Sequence, residues 1–529
     1  MGYAHDYATA IMHRGRTPMP PADFVPDWGD APRRHKLYPG AVTFPLPESP
    51  VMADPHAPTV ADGLAATGGD VPFDLPSLAA MLQFSYALQG RRLAPTANTD
   101  LVSLPGYQYA NWYRGTASGG GLYPCSTYWV AGPGADVSPG VYYYSPAQHG
   151  MQRLVAGDVR ERLRRVVGPA AGGASQFLVV GVKYWQNAFK YNSFSYHAVS
   201  MDVGTILQTW RTWAGAHGRL ISPVLWFDQE DLSDLLGLEP DAEGLFAVVP
   251  IAWHDEPAPP AAGAPREPGG GRVVRTDKER SKVVIEFPTL TRIHRTTAAA
   301  AARRPAVGSL AGVGPVPRED GSVVELPEPV ELTMPLVTAL RRRRSSFGRF
   351  EGRPISAAEL ASALAASVAA RVPSEIDGPD DGTLVKLYVF VNHVSDVPTG
   401  VYEYAPQANA LRLVSPEAPG EFLQESYFLA NYNLEQTAAV IVPAVRTHAV
   451  LDAVGPRGYN VVNATIGAVS QNFYTAASAL GLGAGVALGF DNISYAERLG
   501  VTVTDEAPLL IMLLGHERSG GGDYRYELG

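Results

Sequence analysis

Gly140-Val-Tyr-Tyr-Tyr-Ser-Pro146 runs on to Arg153-Leu-Val155, and later in the chain Gly400-Val-Tyr-Glu-Tyr-Ala-Pro406 runs on to Arg412-Leu-Val414. Further along the spacing settles at 263 residues: Tyr196 maps to Tyr459, Gly204 to Gly467, Gln208 to Gln471, Gly218 to Gly481, Phe227-Asp228 to Phe490-Asp491 and Gly237 to Gly500. His254 maps to His516 at a spacing of 262. Matches that keep their order over more than a hundred residues imply two copies of one domain.

Working outward, the first copy spans about Leu75–Glu256 and the second about Pro327 to the C-terminus. Between them, 257–326 reads as a linker. It begins Pro-Ala-Pro-Pro-Ala-Ala-Gly-Ala-Pro, continues through Gly-Gly-Gly and contains Thr296–Ala302, a composition that packs no core. Within it, Lys282-Val-Val-Ile-Glu-Phe287 alternates as a strand does. Residues 1–74 are Pro-rich and non-periodic and read as an arm across the folded body.

Each copy repeats one order of elements. A short helix (75–88; 356–368) precedes a strand (127–131; 385–391), and the Gly-Val-Tyr strand follows. A buried strand (177–182; 438–445), a long helix (197–216; 459–480) and a last strand (245–251; 509–514) complete it. Ser356-Ala-Ala-Glu359 is a capping box. The fold class is α+β: two tandem domains forming an intramolecular pseudo-dimer.

Composition narrows the function. Of 529 residues, 46% are apolar and 18% charged, enough for sizeable cores. A net charge of −10 argues against a dedicated nucleic-acid binder. One cysteine, Cys125, excludes an intrachain disulfide and a cysteine-built metal site; it reads as a small buried hydrophobe. The 12 histidines form no ligand cluster, so no metal is expected. No signal peptide or membrane-length apolar run is visible, and the expected location is the cytoplasm without membrane contact.

The copies differ in a complementary way. Copy two opens with Leu340-Arg-Arg-Arg-Arg-Ser-Ser-Phe-Gly-Arg-Phe350, which reads either as an anion grip or as a solvated basic patch at a helix C-terminus. Copy one has no equivalent. It carries instead Arg114-Gly-Thr-Ala-Ser-Gly-Gly-Gly-Leu-Tyr-Pro124, a backbone able to approach a flat ligand or a flexible turn. Copy two has the acidic 373–382 segment at that place, and ends its long helix in Ala479-Leu-Gly-Leu-Gly-Ala-Gly485. Its last strand leads into Gly515-His-Glu-Arg518. Such a division is expected if one composite site lies between the copies and its symmetry mate has decayed.

On these motifs the chain resembles the FMN-dependent nitroreductase superfamily, and more narrowly the SagB-type (McbC-like) azoline dehydrogenases. Arg-Arg-Ser followed by Arg-Phe matches 343–350. The Ser-Gly-Gly loop matches 117–124, with Ala117 where the family has proline. Gly-Leu-Gly matches 481–483. The family's Lys-Tyr-Gly-x-Arg-x-Tyr segment is split: Lys190-Tyr191 stands in copy one, with Phe194 replacing the arginine, and Arg457-Gly-Tyr459 stands in copy two. Asp27-Trp28 and Lys36-Leu-Tyr-Pro39 resemble the family's N-terminal segment.

The resemblance implies one FMN site per chain. Arg343, Arg344, Ser346 and Arg518 would hold the phosphate and ribityl; Ser118, Gly119 and Gly120 would approach the ring from copy one; Gly481 and Gly483 would lie near its reactive edge. It also implies oxidation of thiazoline or oxazoline rings in a modified precursor peptide, with a separate cyclodehydratase as partner. Lys190 and Tyr191 are the candidates for the proton-transfer step, since burial or nearby cations tune a lysine toward a base. Lys183-Tyr184 reads instead as a strand-end charge with a packing aromatic. The alternatives are an FMN oxidoreductase on another small molecule (a nitro/ene reductase or a dehydrogenase of amino-acid-derived compounds) and a non-catalytic scaffold of a biosynthetic complex. Whether two chains pair further, as a homodimer, stays open.

Overall fold

The computed structural model describes residues 2–49, 56–66, 68–93, 96–98, 103–106, 111–255, 271–379, 381–518 and 524–527. The proline-alanine stretch expected to open the linker lies outside them. The first sheet has strands β1 (Thr43–Pro45), β2 (Cys125–Ala131), β3 (Gly140–Ser145), β4 (Gly150–Ala156), β5 (Gln176–Lys183) and β6 (Glu243–Ile251), in the order β1-β4-β3-β2-β5-β6. The second has β7 (Val323–Glu325), β8 (Lys386–Val391), β9 (Gly400–Ala405), β10 (Ala410–Ser415), β11 (Ala439–Val445), β12 (Gly483–Ala487) and β13 (Ile511–Gly515), in the order β7-β10-β9-β8-β11-β13-β12. Ala507–Pro508 adds a short pair against β11. Neighbours are antiparallel throughout. Six strands thus follow one order in both sheets, β12 being an added edge strand of the second, and in each an edge strand comes from the segment preceding the repeat.

Strands buried on both faces explain the continuous apolar runs. Trp129, Tyr142 and Tyr144 face the core shared by both halves, whereas Tyr128, Val141 and Tyr143 face a separate core on the far side of the first sheet. In the second sheet Tyr402 and Tyr404 join the shared core, and Tyr388, Phe390 and Val401 the outer one.

Four helices shape the region between the halves: α1 (Tyr3–His13), α2 (Ser195–Ala216), α3 (Pro288–Ala299) and α4 (Gly458–Ala479). Helices α2 and α4 are buried along nearly their whole length and pack on each other. A Cβ on Gly204 would stand 1.9 Å from Ala464 O, and one on Gly467 would stand 2.0 Å from Met201 O. These four positions are related by the 263-residue spacing, so the two backbones touch about a pseudo-twofold axis. Polar contacts obey the same relation: Tyr196 Oη donates to Asn460 Oδ1 at 2.9 Å, and its mate Tyr459 bonds His197 Nδ1 at 2.7 Å.

Three expectations change. Residues 1–74 are not simply an arm. In α1, Ala4, Tyr7, Ala8 and Ile11 form a helical i, i+3, i+4, i+7 stripe and are buried. Lys282–Phe287 forms no strand; the amides of Lys282 and Val283 bond instead to Asp30, at 2.8 and 2.9 Å. The Thr296–Ala302 segment does pack: α3 runs into it, and Leu290, Ile293, Thr297 and Ala301 are buried. The capping box stands as read, with Ser356 Oγ accepting from Glu359 N.

The N-terminal segment also completes the first domain. Lys36 enters a buried cluster with Glu243 and with Tyr128 Oη. The second domain makes the matching cluster from its own strand, with Lys386 Nζ 3.0 Å from Glu506 and Tyr388 Oη bonded to Glu506.

Candidate active site

A cleft of about 900 Å³ lies between the two halves. Its wall includes Ser118, Gly119, Gly120, Lys190, Tyr191, Arg343 and Arg344, so seven of the proposed site residues meet there from both copies.

The first copy contributes the glycine loop, bent by left-handed backbone at Gly120 (φ +63°) and Gly121 (φ +64°). Its shape is held from beneath by Asp202 of α2, whose carboxyl accepts from Ser118 Oγ at 2.6 Å and from Gly119 N at 2.8 Å. Ser118 Oγ in turn accepts from Tyr123 N at 2.8 Å. Burial pushes the Asp202 carboxyl up to about 7, against the two hydrogen bonds that favour its charged form.

The last turn of the helix Trp185–Tyr191 delivers Lys190 and Tyr191 to the same loop. The point where a Cβ on Gly120 would sit is 2.5 Å from Tyr191 Oη and 2.9 Å from Lys190 Nζ. A side chain at 120 would therefore push both groups away. Lys190 Nζ also lies 5.9 Å from the Trp28 ring and 4.7 Å from the Tyr191 ring.

The second copy contributes the arginines, used unequally. Arg343 is buried and turns its fork onto the first copy's loop: Nε donates to Gly115 O at 3.0 Å, and Nη2 to Arg114 O and Thr116 O at 3.1 Å each. It positions the glycine loop as well as lining the cleft. Arg344 pairs with Glu517. Ser346 is fully buried and accepts from Ala484 N at 2.9 Å, tying the segment to β12. It is Ser345, one residue earlier, that faces the cleft, bonded to Tyr474 Oη at 2.8 Å.

Ser346, Gly481, Gly483 and Arg518 do not line the cleft. Gly481 (φ +70°) follows the end of α4 as a helix-terminating residue. Gly483 opens β12, where a Cβ would meet Glu517 at 2.6 Å and Ser346 at 3.0 Å. Arg518 bonds through its amide to Arg349 O at 2.6 Å. Arg457, the other half of the split motif, is fully buried elsewhere, donating to first-copy carbonyls.

Asp202, Ser345, Tyr474 and Arg14 escaped the sequence reading. Asp202 did carry a signal: a lone acid in an otherwise uncharged stretch of a buried helix is costly unless it has work. Lys183 pairs with Asp277 and Glu279 at 2.5 and 2.6 Å, away from the cleft. Cys125 is buried, and burial raises its thiol pKa well above the ordinary value. Among the described residues no group of three His, Cys, Asp or Glu side chains could hold a metal ion, and no helix is long and apolar enough to cross a membrane.

Residues 340–516 match the nitroreductase family. Over 135 residues the chain is 30% identical to a Methanocaldococcus jannaschii protein named as a nitroreductase; the match covers 25% of this chain and 65%, less than two thirds, of that relative. A crystal structure from Anabaena variabilis ATCC 29413, also named for the nitroreductases, aligns over 98% of this chain and all of its own, with a TM-score of 0.72 and 22% identity. Weaker likenesses include a Ralstonia eutropha JMP134 protein so named (41% of this chain, 98% of its own, TM-score 0.31, 23% identity). Another is a chain of the E. coli microcin synthetase McbBCD complex with truncated pro-MccB17 bound (34% of this chain, 70% of its own, TM-score 0.29, 18% identity). These last two are too slight to bear on function. The protein thus has the α+β fold of two nitroreductase-like domains, and the match to the nitroreductase family lies over 340–516.

Proposed function

We propose that this protein is an FMN-dependent dehydrogenase that oxidises thiazoline or oxazoline rings in a precursor peptide. It is built from domains over 75–256 and 327–529, and a cyclodehydratase supplies its substrate. The observation that carries the reading is the convergence of Lys190 and Tyr191 on the Gly120 turn, opposite arginines of the other copy.

The donor set suits FMN, which members of the matched family usually bind. Among the described residues, Arg14, Arg92, Lys190, Arg343, Arg344 and Arg349 line the cleft against one acid, Asp202, which favours a ligand bearing a phosphate. Arg344 and Ser345 would hold that phosphate. The Ser118–Gly121 loop, without side-chain bulk at its glycines, would lie against the flat ring. When bound, FMN supplies a two-electron acceptor. The remaining work belongs to the chain. Lys190 Nζ or Tyr191 Oη takes the proton from the substrate's ring carbon. Asp202 keeps Ser118 and the Gly119 amide in place, and Arg343 locks the loop to the second copy.

The test is anaerobic mixing of the purified, flavin-loaded protein with a thiazoline peptide. Bleaching of the visible flavin absorption with formation of thiazole supports the reading. Consumption of NAD(P)H on a nitro or ene compound, with no bleaching by the azoline, would assign a reductase instead. Lys190→Ala should keep the flavin and slow bleaching by about 100-fold or more; full-speed bleaching would remove Lys190 from its role.

A further inference from the structure

The 263-residue spacing brings two arginines into correspondence that are not themselves related by it. On the second copy's side, Arg457 holds the turn 225–229: Nε donates to Leu225 O at 2.5 Å, Nη1 to Gln229 Oε1 at 2.8 Å, and the guanidinium lies 4.9 Å from the Phe227 ring. The repeat mates of these three partners are Leu488, Asn492 and Phe490. The mate of Arg457 itself is Phe194, which can donate nothing. Yet the mate turn is held in the same way. Arg14, just past the end of α1, donates to Leu488 O and to Asn492 Oδ1, and its guanidinium lies 5.7 Å from the Phe490 ring. It covers the Phe194 ring at 4.9 Å, so the group arrives from behind the residue that would otherwise have carried it.

The turn so held is a wall of the cleft: Val486, Ala487, Leu488 and Gly489 line it, as do Phe194 and Arg14. The Leu488 carbonyl is half-buried, and leaving it without this donor has a cost. We infer that Arg14 has taken over the part of the missing arginine at position 194, making α1 a working part of the cleft and Arg14 the positioning residue of its 486–490 wall. The exchange also frees position 194 to present an aromatic ring to the cleft, with the Arg14 guanidinium lying against that ring. This inference concerns the wall and holds whatever the cleft binds.

The internal repeat provides the control. Amide hydrogen exchange is measured on the full-length protein without added flavin, comparing residues 486–490 with the mate turn 223–227, whose Arg457 is untouched. Arg14→Ala should speed exchange at 486–490 by about tenfold and leave 223–227 within about twofold. Returning the arginine to its repeat position, in Arg14→Ala/Phe194→Arg, should bring 486–490 back to within about threefold of wild type. Arg14→Lys, which keeps the charge and loses the fork, should lie between and serves if Arg14→Ala folds poorly. Equal acceleration of both turns would make Arg14 a general stabiliser and overturn the inference. So would unchanged exchange at 486–490, or a double variant no slower than Arg14→Ala.

Discussion

The two turns that follow the long helices teach more by their difference than by their likeness. On one side Gly489 lines the cleft, and Leu429 stands 3.3 Å from where its Cβ would be. On the other side its repeat mate is Trp226, fully buried. There the amides of Leu225 and Trp226 donate to the Glu375 carboxylate at 2.9 and 2.7 Å, and Arg304 donates to Trp226 O at 2.9 Å. One turn borders a cleft; the other is plugged by indole and crossed by an ion pair. Duplication kept the backbone in both halves, because the shared core needs it. The cleft stands beside one of the two turns only, because nothing in the packing of α2 on α4 requires the second.

The comparison breaks most completely at the axis. Gly204→Val should cost more than about 4 kcal/mol, since even a Cβ collides with helix backbone rather than with a side chain that can turn away. Denaturant titration or loss of folded protein reads this. Gly489→Trp, which copies the plugged side onto the open one, should cut flavin affinity by about 100-fold or more while leaving thermal stability near wild type, because the added ring fills space rather than displacing core. Retained flavin would show that the cleft is not where it binds. Arg343→Ala with Arg344→Ala should lower flavin affinity by about 100-fold, removing both the charges and the fork that locks the 114–116 carbonyls.

A smaller effect separates the sides by pH. The Asp202 carboxyl titrates near 7 in the folded chain, against about 3.9 when unfolded. Between these values the unfolded chain has released the proton that the folded chain still holds. Stability from this group is therefore greatest below about pH 4, declines as pH rises toward 7 and levels off above it. Asp202→Asn should flatten that decline by on the order of 2 kcal/mol between pH 5 and pH 8, read from urea midpoints at each pH. An unchanged slope would show that Asp202 is not held in this way.

Legibility followed the physics of each part. The repeat and the order of elements along each copy could be read because Gly204, Gly467, Tyr196 and Tyr459 are constrained by contacts across the axis; that α2 packs on α4 there was seen only in the folded chain. That Ser118–Gly120 and the arginines at 343 and 344 would come together from the two copies could be read because their residue types are unusual where they stand. Ser345 was missed for Ser346 because two adjacent serines point opposite ways, and the fold decides which faces the cleft. Helix α1 was missed because its buried stripe is two alanines, a tyrosine and an isoleucine among polar residues, a weak signature in a proline-rich segment. Arg14 could not be found by aligning the copies. It stands 180 residues from the position it serves, and only the folded chain brings it to Phe194.

The central claim is a single working pocket assembled from both halves. Its most direct test is the amount of FMN released per chain, by absorbance, from denatured protein purified with its flavin. The expected result is one FMN per 529-residue chain, falling to none in Gly489→Trp. Two per chain, or one that persists in Gly489→Trp, would contradict it.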